Sequence, residues 1–267
     1  MGVINVTPDS FSDGGDCYAH DTAVTYGLRL AEAGADILDI GGESTRPGAE
    51  SVSEDEELRR VIPVIEGLAG KVDVPLSVDT CKAGVAEAAL KAGASIVNDI
   101  SAGRMDPKLL HVTARAGVPL ILMHMKGEPR TMQVNPTYKD LIGEIKSFLL
   151  EAANRAEKAG VSREMIIIDP GIGFGKTFDH NLTLINRLEE IINLEYLVMI
   201  GASRKAFLGK ILGGALPKER DIGTAAVTAL AAYKGAHILR VHNIELAKQT
   251  LAVVNAVKQE KIKQDDL

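Results

Sequence analysis

Residues 75–100 read PLSVDTCKAGVAEAALKAGASIVNDI, and this stretch decides the fold. An apolar run, PLSVDT, ends on polar residues; an amphipathic helical segment, KAGVAEAALKAG, follows; a second apolar run, SIVNDI, again ends on polar residues. Such a unit is a strand, a helix and a parallel strand, with aliphatic strands suited to burial on both faces. Outward from it the pattern repeats. Strand candidates are VINVT from Val3, DILDIGG from Asp36, PLSVDT from Pro75, SIVNDI from Ser95, PLILMHM from Pro119, MIIIDPG from Met165, LVMIGAS from Leu197 and HILRVHN from His237. Helical patterns lie between them, among them DTAVTYGLRLAEAG from Asp21, SEDEELRRVIPVIEGLA from Ser53, KDLIGEIKSFLLEAANRAEKAG from Lys139 and DIGTAAVTALAAYKG from Asp221.

A glycine stands where several helices must end, in EAGADILDI, KAGASIVNDI, RAGVPLILM and KGAHILRV, because it takes the left-handed conformation that closes a helix. Eight β-then-α units in 267 residues is the size of a single-domain (β/α)8 barrel spanning 1–267, with a doubly wound open sheet as the alternative. No Ser/Pro-rich linker divides the chain. The tail QEKIKQDDL reads as a solvated end.

Composition excludes several classes. With 46% hydrophobic and 25% charged residues the chain is neither disordered nor fibrous. Thirty Lys+Arg against 36 Asp+Glu leaves a formal charge of -6, so no overall basic field gathers nucleic acid or an anionic membrane. Cys17 and Cys81 are the only cysteines, which excludes a disulfide framework, and no cysteine/histidine cluster has zinc spacing. The start MGVINVTPDS has no secretory pattern and no apolar stretch reaches the roughly 20 residues of a membrane span, so a cytoplasmic protein is expected.

In a barrel the active site is built at the carboxyl ends of the strands. The polar residues there are Asn5; Glu43, Thr45 and Arg46; Asp79; Asn98 and Asp99; His124; Asp169; Ser203 to Lys205; and Arg240 with His242. One polar strand end is usually a cap or turn residue, but a ring of them is a site. Asp79, Asn98 and Asp169 offer carboxylate and amide groups to the donor and acceptor edge of a flat polar heterocycle. Lys205, Arg46, Arg240 and His242 suit an anionic ligand. Asn5 offers an oxygen to a hard cation such as magnesium, which takes one or two protein oxygens beside water and phosphate.

The connections TPDSFSDGGDCYAHD and GGESTRPGAESVS are long for βα loops and read as candidate lids, the first carrying Asp13 and the second Arg46. DPGIGFGKT contains GxGxG without the Rossmann order or a P-loop, a weak nucleotide signal. His124 reads as a buried hydrogen-bonding residue or a group behind the site, Cys81 as structural, and the acidic and basic residues of SEDEELRR and NRAEKAG as solvated helix faces.

Eight segments carry a family resemblance: NVTPDSFSDGG at 5–15, GGESTRPGA at 41–49, SVDT at 77–80, NDI at 98–100, LMHMKGEPRTMQ at 122–133, DPGIGFGKT at 169–177, GASRKAFLG at 201–209 and RVHN at 240–243. Together, in order and over essentially the whole chain, they resemble the dihydropteroate synthases. The resemblance implies a (β/α)8 barrel that joins 6-hydroxymethyl-7,8-dihydropterin pyrophosphate to p-aminobenzoate and releases pyrophosphate, by a dissociative route, in a magnesium-dependent homodimer whose p-aminobenzoate site is the one sulfonamides occupy in this family. Carried over position by position, Asp79, Asn98, Ile100, Met123, Asp169, Lys205 and Arg240 would hold the pterin. Asn5, Thr45, Arg46, Arg240 and His242 would hold the pyrophosphate, with Asn5 and Asp13 on magnesium. Phe11, Thr45, Pro47, Phe174, Ser203 and Lys205 would form the p-aminobenzoate pocket. Asp79, Lys205, Arg46 and Asp13 would carry the catalysis.

The resemblance leaves rivals that share the barrel: a pterin-binding methyltransferase domain, which lacks the two loop motifs, and a pterin-binding protein without turnover. A Schiff-base aldolase using Lys205 rests on fold analogy alone. Relatives usually carry a short segment ahead of the first motif; here Met1 stands at the strand itself, and an effect on the barrel floor is expected.

Overall fold

The computed structural model describes residues 1–7, 15–44 and 48–261. Eight parallel strands follow one another in chain order: β1 (Gly2–Asn5), β2 (Leu38–Gly41), β3 (Leu76–Asp79), β4 (Ile96–Asp99), β5 (Leu120–Met123), β6 (Ile166–Asp169), β7 (Leu197–Ile200) and β8 (Ile238–Leu239). Helices cover the outside: α1 (Gly15–Glu32), α2 (Glu54–Leu68), α3 (Ala83–Ala92), α4 (Lys108–Ala116), α5 (Leu141–Lys158), α6 (Phe178–Asn186), α7 (Glu189–Ile192), α8 (Ala206–Ile211), α9 (Asp221–Tyr233) and α10 (Ile244–Gln259). Helix starts follow their caps, since the side chains of Ser53, Asp140, Thr177 and Asn243 each accept a backbone N–H of the first turn. Helix α1 begins at Gly15 rather than at Asp21, which takes part of the expected first loop into the helix.

The sheet curls so that the segment just past its last strand comes beside β1. Gly2 bridges Val241 in parallel; Val3 N donates to Val241 O (3.2 Å) and Val241 N to Met1 O (2.9 Å). The amino group of Met1 donates to Leu239 O at 3.0 Å.

Alternation along each strand sorts side chains onto two faces. Val97, Leu120, Leu122, Ile166, Ile168, Val198 and Ile200 belong to the large core under the helices. Their neighbours Ile96, Ile121, Ile167 and Met199 form a separate cluster with Met1, packed by Ile37 and Ile238, on the concave face. That cluster is the floor. Two residues further along each strand, on the same face, stand Asp39, Asn98, Met123, Asp169 and Arg240, so the concave face is apolar at one end and charged at the other.

Candidate active site

The concave face gathers residues from strands far apart in sequence, and Arg240 is its hub. From just past β8 its Nε donates to Asp39 Oδ2 on β2 at 2.6 Å, and its Nη2 to Asp79 Oδ2 at the end of β3 at 2.8 Å. Asp39 is wholly buried. The same Asp39 oxygen accepts the amide N–H of Asn98 on β4 at 3.1 Å. Space for the Asp79 carboxyl comes from Gly41, opposite it in register, where a Cβ would stand 3.3 Å from Asp79 Cβ.

Burial dominates the electrostatics of this cluster. It pushes Asp79 up to about 7, against the pull of Arg240 and with the push of the Asp39 charge. Burial pulls the Arg240 guanidinium down, but Asp39 and Asp79 outweigh it and hold the group charged. Asp169, at the end of β6, is pushed up to about 6 by burial, opposed first by the Gly171 N–H that its Oδ1 accepts at 2.7 Å and then by Lys205. Lys205 is brought down to about 8 by burial and by the neighbouring Arg240 charge. Carboxylates that resist ionising and a lysine that releases its proton early are what a dry polar pocket imposes, and such shifts cluster at functional sites.

An apolar wall stands beside the charged cluster. Ile100, Met123, Met125, Met132 and Phe174 form their own buried group, with Cys81 packed against it. The Lys205 ammonium lies 4.0 Å from the centre of the Phe174 ring, a cation–π contact that joins wall to cluster. Burial pushes the Cys81 thiol up, in keeping with a structural role.

The GxGxG segment is a packing device. A Cβ on Gly171 would stand 2.0 Å from His124 O, and one on Gly175 2.4 Å from Lys126 O, so both glycines let this loop lie against the connection after β5. The loop is then locked from below. Lys176, 2% exposed, places its Nζ 2.9 Å from His124 Nδ1 and donates to Phe174 O at 3.0 Å. Burial brings Lys176 down to about 7 and drives His124 down to about 2, the latter helped by the Lys176 charge. His124 is thus a buried hydrogen-bonding residue.

At the third corner, His242 Nδ1 lies 2.9 Å from Ser203 Oγ, which also accepts the His242 N–H at 3.2 Å. Burial, with Arg240 next, brings His242 down to about 4. Arg204 turns away from Ser203 and Lys205: held at φ +58, it grips Asp221 through Nε and Nη2 at 2.7 and 2.9 Å. Asn5 ends β1 opposite Gly41. No group of three or more His, Cys, Asp or Glu that can hold a metal occurs among the described residues, and Asn5 fits magnesium only as one protein oxygen in a shell otherwise made by ligand and water.

Of the residues read from the sequence, Asp79, Asn98, Ile100, Met123, Asp169, Phe174, Lys205 and Arg240 share this one region, with Ser203 and His242 as a hydrogen-bonded pair and Asn5 at a strand end. Phe11, Asp13, Thr45, Arg46 and Pro47 lie outside the described residues. Asp39 and Lys176 were not read as site residues. An acid in the middle of the apolar run DILDIGG was the available signal for Asp39; the basic residue closing GFGKT was that for Lys176. One reading is corrected: SEDEELRR is not wholly a solvated face. Glu57 is 0% exposed and pairs with Lys82, which also pairs with Glu43, and Arg60 Nη1 donates to Gly42 O at 2.8 Å. These contacts anchor the base of the second long connection.

Comparison with known proteins bears on the same region. Residues 1–242 match the family described as pterin binding enzyme. The dihydropteroate synthase of Synechocystis is 48% identical over 96% of this chain and 89% of its own. The Yersinia pestis dihydropteroate synthase, solved with a sulfonamide drug complex, superposes with a TM-score of 0.92 at 44% identity, covering 97% of this chain and 94% of that one. The Xanthomonas albilineans enzyme, solved with 4-aminobenzoic acid, gives 0.91 at 48% identity, covering 97% and 92%.

Proposed function

The chain belongs to the pterin-binding enzyme family, and from that premise we propose how its concave site performs the reaction of a dihydropteroate synthase. The reaction is a transfer in folate biosynthesis: the dihydropterinylmethyl group passes from pyrophosphate to the amine of p-aminobenzoate, giving 7,8-dihydropteroate. The observation that carries the site assignment is Arg240 bridging Asp39 and Asp79 beside Asn98, with Asp169 and Lys205 on the same face.

Asp79, Asn98 and Asp169 present acceptors to the N–H edge of the pterin. Arg240 and Lys205 close on its ring, and Met123 and Ile100 line the slot. The C–O bond to pyrophosphate breaks first, the electron pair leaving with the phosphate oxygens and the positive charge delocalising from the methylene carbon into the pterin. Asp79 stabilises that cation through space, a preorganised charge in a dry site. The aryl amine, seated against Phe174 and near Ser203 and Lys205, then forms the C–N bond and gives up a proton to the released pyrophosphate. His242 and Arg240, with Thr45 and Arg46, hold the departing pyrophosphate; Phe11 and Pro47 complete the p-aminobenzoate pocket and keep out water, a competing nucleophile. Asn5 and Asp13 would hold magnesium, which when bound would supply positive charge to the pyrophosphate oxygens. Sulfonamides occupy the p-aminobenzoate pocket.

The sheet closes as a full (β/α)8 barrel in one domain over 1–267, a reading supported by the Gly2–Val241 bridge and by Arg240 reaching Asp39 across the concave face. The working unit is a homodimer in the cytoplasm. The dimer is supported by an open apolar groove of about 470 Å³ between α6, α8 and α9, lined in part by the exposed Leu182, Ile211, Leu212, Ile222 and Leu230. Among the described residues no helix is long and apolar enough to cross a membrane.

The test is an omission assay. Dihydropterin pyrophosphate, p-aminobenzoate and magnesium are mixed with the protein, and dihydropteroate and pyrophosphate are followed together. Product that needs both organic substrates bears the assignment out; pterin binding without product would leave a binding protein. Omission of magnesium tests the metal, and Leu230→Asp with sedimentation tests the dimer.

A further inference from the structure

We propose that Asp39 is a positioning residue for pterin recognition: it fixes which atom of Asn98 faces the ligand and which way the Arg240 guanidinium lies. The inference rests on the pterin reading of the site. Asp39 sits on the concave face of β2, one alternation step below the strand end, with no exposed surface. A carboxylate so placed accepts hydrogen bonds and donates none. Its Oδ2 receives Asn98 Nδ2 at 3.1 Å and Arg240 Nε at 2.6 Å.

Two consequences follow for the ligand. The two ends of an asparagine amide have nearly the same shape, so only a neighbour of fixed polarity decides its orientation. Asp39, an acceptor, claims the Asn98 amide nitrogen and leaves Oδ1 as the atom available to a ligand; that oxygen is buried and has no hydrogen-bond partner among the described residues. Asn98 therefore recognises a donor on the heterocycle, as Asp79 and Asp169 do. For Arg240, the Asp39 contact uses Nε and the Asp79 contact uses Nη2, and two carboxylates on different strands fix the plane of one rigid fork. The Asp39 charge also pushes against ionisation of Asp79.

The isosteric variant Asp39→Asn tests this in the full-length protein. The KM for dihydropterin pyrophosphate rises by about ten- to a hundredfold, the scale of losing a hydrogen bond to a charged group, while that for p-aminobenzoate changes less. Binding of 6-hydroxymethylpterin, read by calorimetry, weakens in parallel. The acid limb of kcat/KM moves to lower pH, because Asp79 loses a like charge. In an Asn98→Ala background the same substitution has a smaller effect, since part of its action runs through Asn98. If Asp39→Asn does not fold, Asp39→Ser, which leaves room for water, takes its place with the same expectations. Unchanged KM and pH profile overturn the proposal. So does a loss confined to kcat and melting temperature, the mark of a merely structural residue. If the wild-type chain makes no product, the pterin reading fails, whatever Asp39 does.

Discussion

Ile121 and Arg240 share the concave face of one sheet, yet they live under opposite rules. Ile121 lies in the floor with Ile96, Ile167 and Met199, where every buried methylene adds to stability and no side chain titrates. Arg240 lies at the strand ends, beside the wholly buried Asp39, where Asp79, Asp169 and Lys205 are held short of water and their ordinary proton affinities are displaced. The floor holds the fold and the charged end is held by it. The contrast teaches that this protein separates the two tasks by a few ångströms along the same strands, so substitutions at the two ends should have different signatures.

The sharpest way to break the comparison is Arg240→Met. It strips the counter-charge from two buried carboxylates and should destabilise by about 3–5 kcal/mol, the scale for breaking a buried pair, while abolishing pterin binding; denaturant melts and calorimetry read the two losses. Ile121→Ala should cost a comparable 2–5 kcal/mol, about the range for a large-to-small core change, but leave KM for both substrates unchanged in the folded fraction. If it alters KM, the two ends are not separable.

The pH dependence sharpens the comparison further. Asp79 and Asp169 have folded values of about 7 and about 6 against 3.8, so between those limits the folded state binds more protons and stability falls as pH rises. Lys205 and Lys176 are displaced the other way, to about 8 and about 7 from 10.5, so stability rises with pH on the alkaline side. Melting temperature against pH should therefore dip near neutrality, and kcat/KM for the pterin substrate should be bell-shaped with limbs near the Asp79 and Lys205 values. The smallest effect belongs outside the sheet: Lys91→Ala, breaking an exposed pair with Glu87 on α3, should shift stability by no more than about 0.5 kcal/mol.

Much of this was legible in the sequence. The strand–helix alternation placed all eight strands, because apolar runs and helical periodicity are local properties. Strand ends exposed Asp79, Asn98, Asp169 and Arg240 because each closes an apolar run. Asp39 escaped notice by standing one step below that end, where only the partnership with a residue 201 positions away explains a buried acid. Lys176 and His124 are 52 positions apart and Glu57 and Lys82 are 25 apart, so their burial is a tertiary fact with no local signature. The start of α1 was missed because the glycine pair at 14 and 15 reads as a loop.

The most direct test of the separation between fold and chemistry is a paired measurement on Asp79→Asn: initial rate of dihydropteroate formation and melting temperature at pH 7.5. Removing a carboxylate that the fold disfavours in its charged form, with an isostere that still accepts from Arg240, should lower the rate by about a hundred- to a thousandfold, the scale of one preorganised electrostatic contact, and leave the melting temperature equal or higher. A wild-type rate, or a rate that falls only in step with the folded fraction, would contradict it.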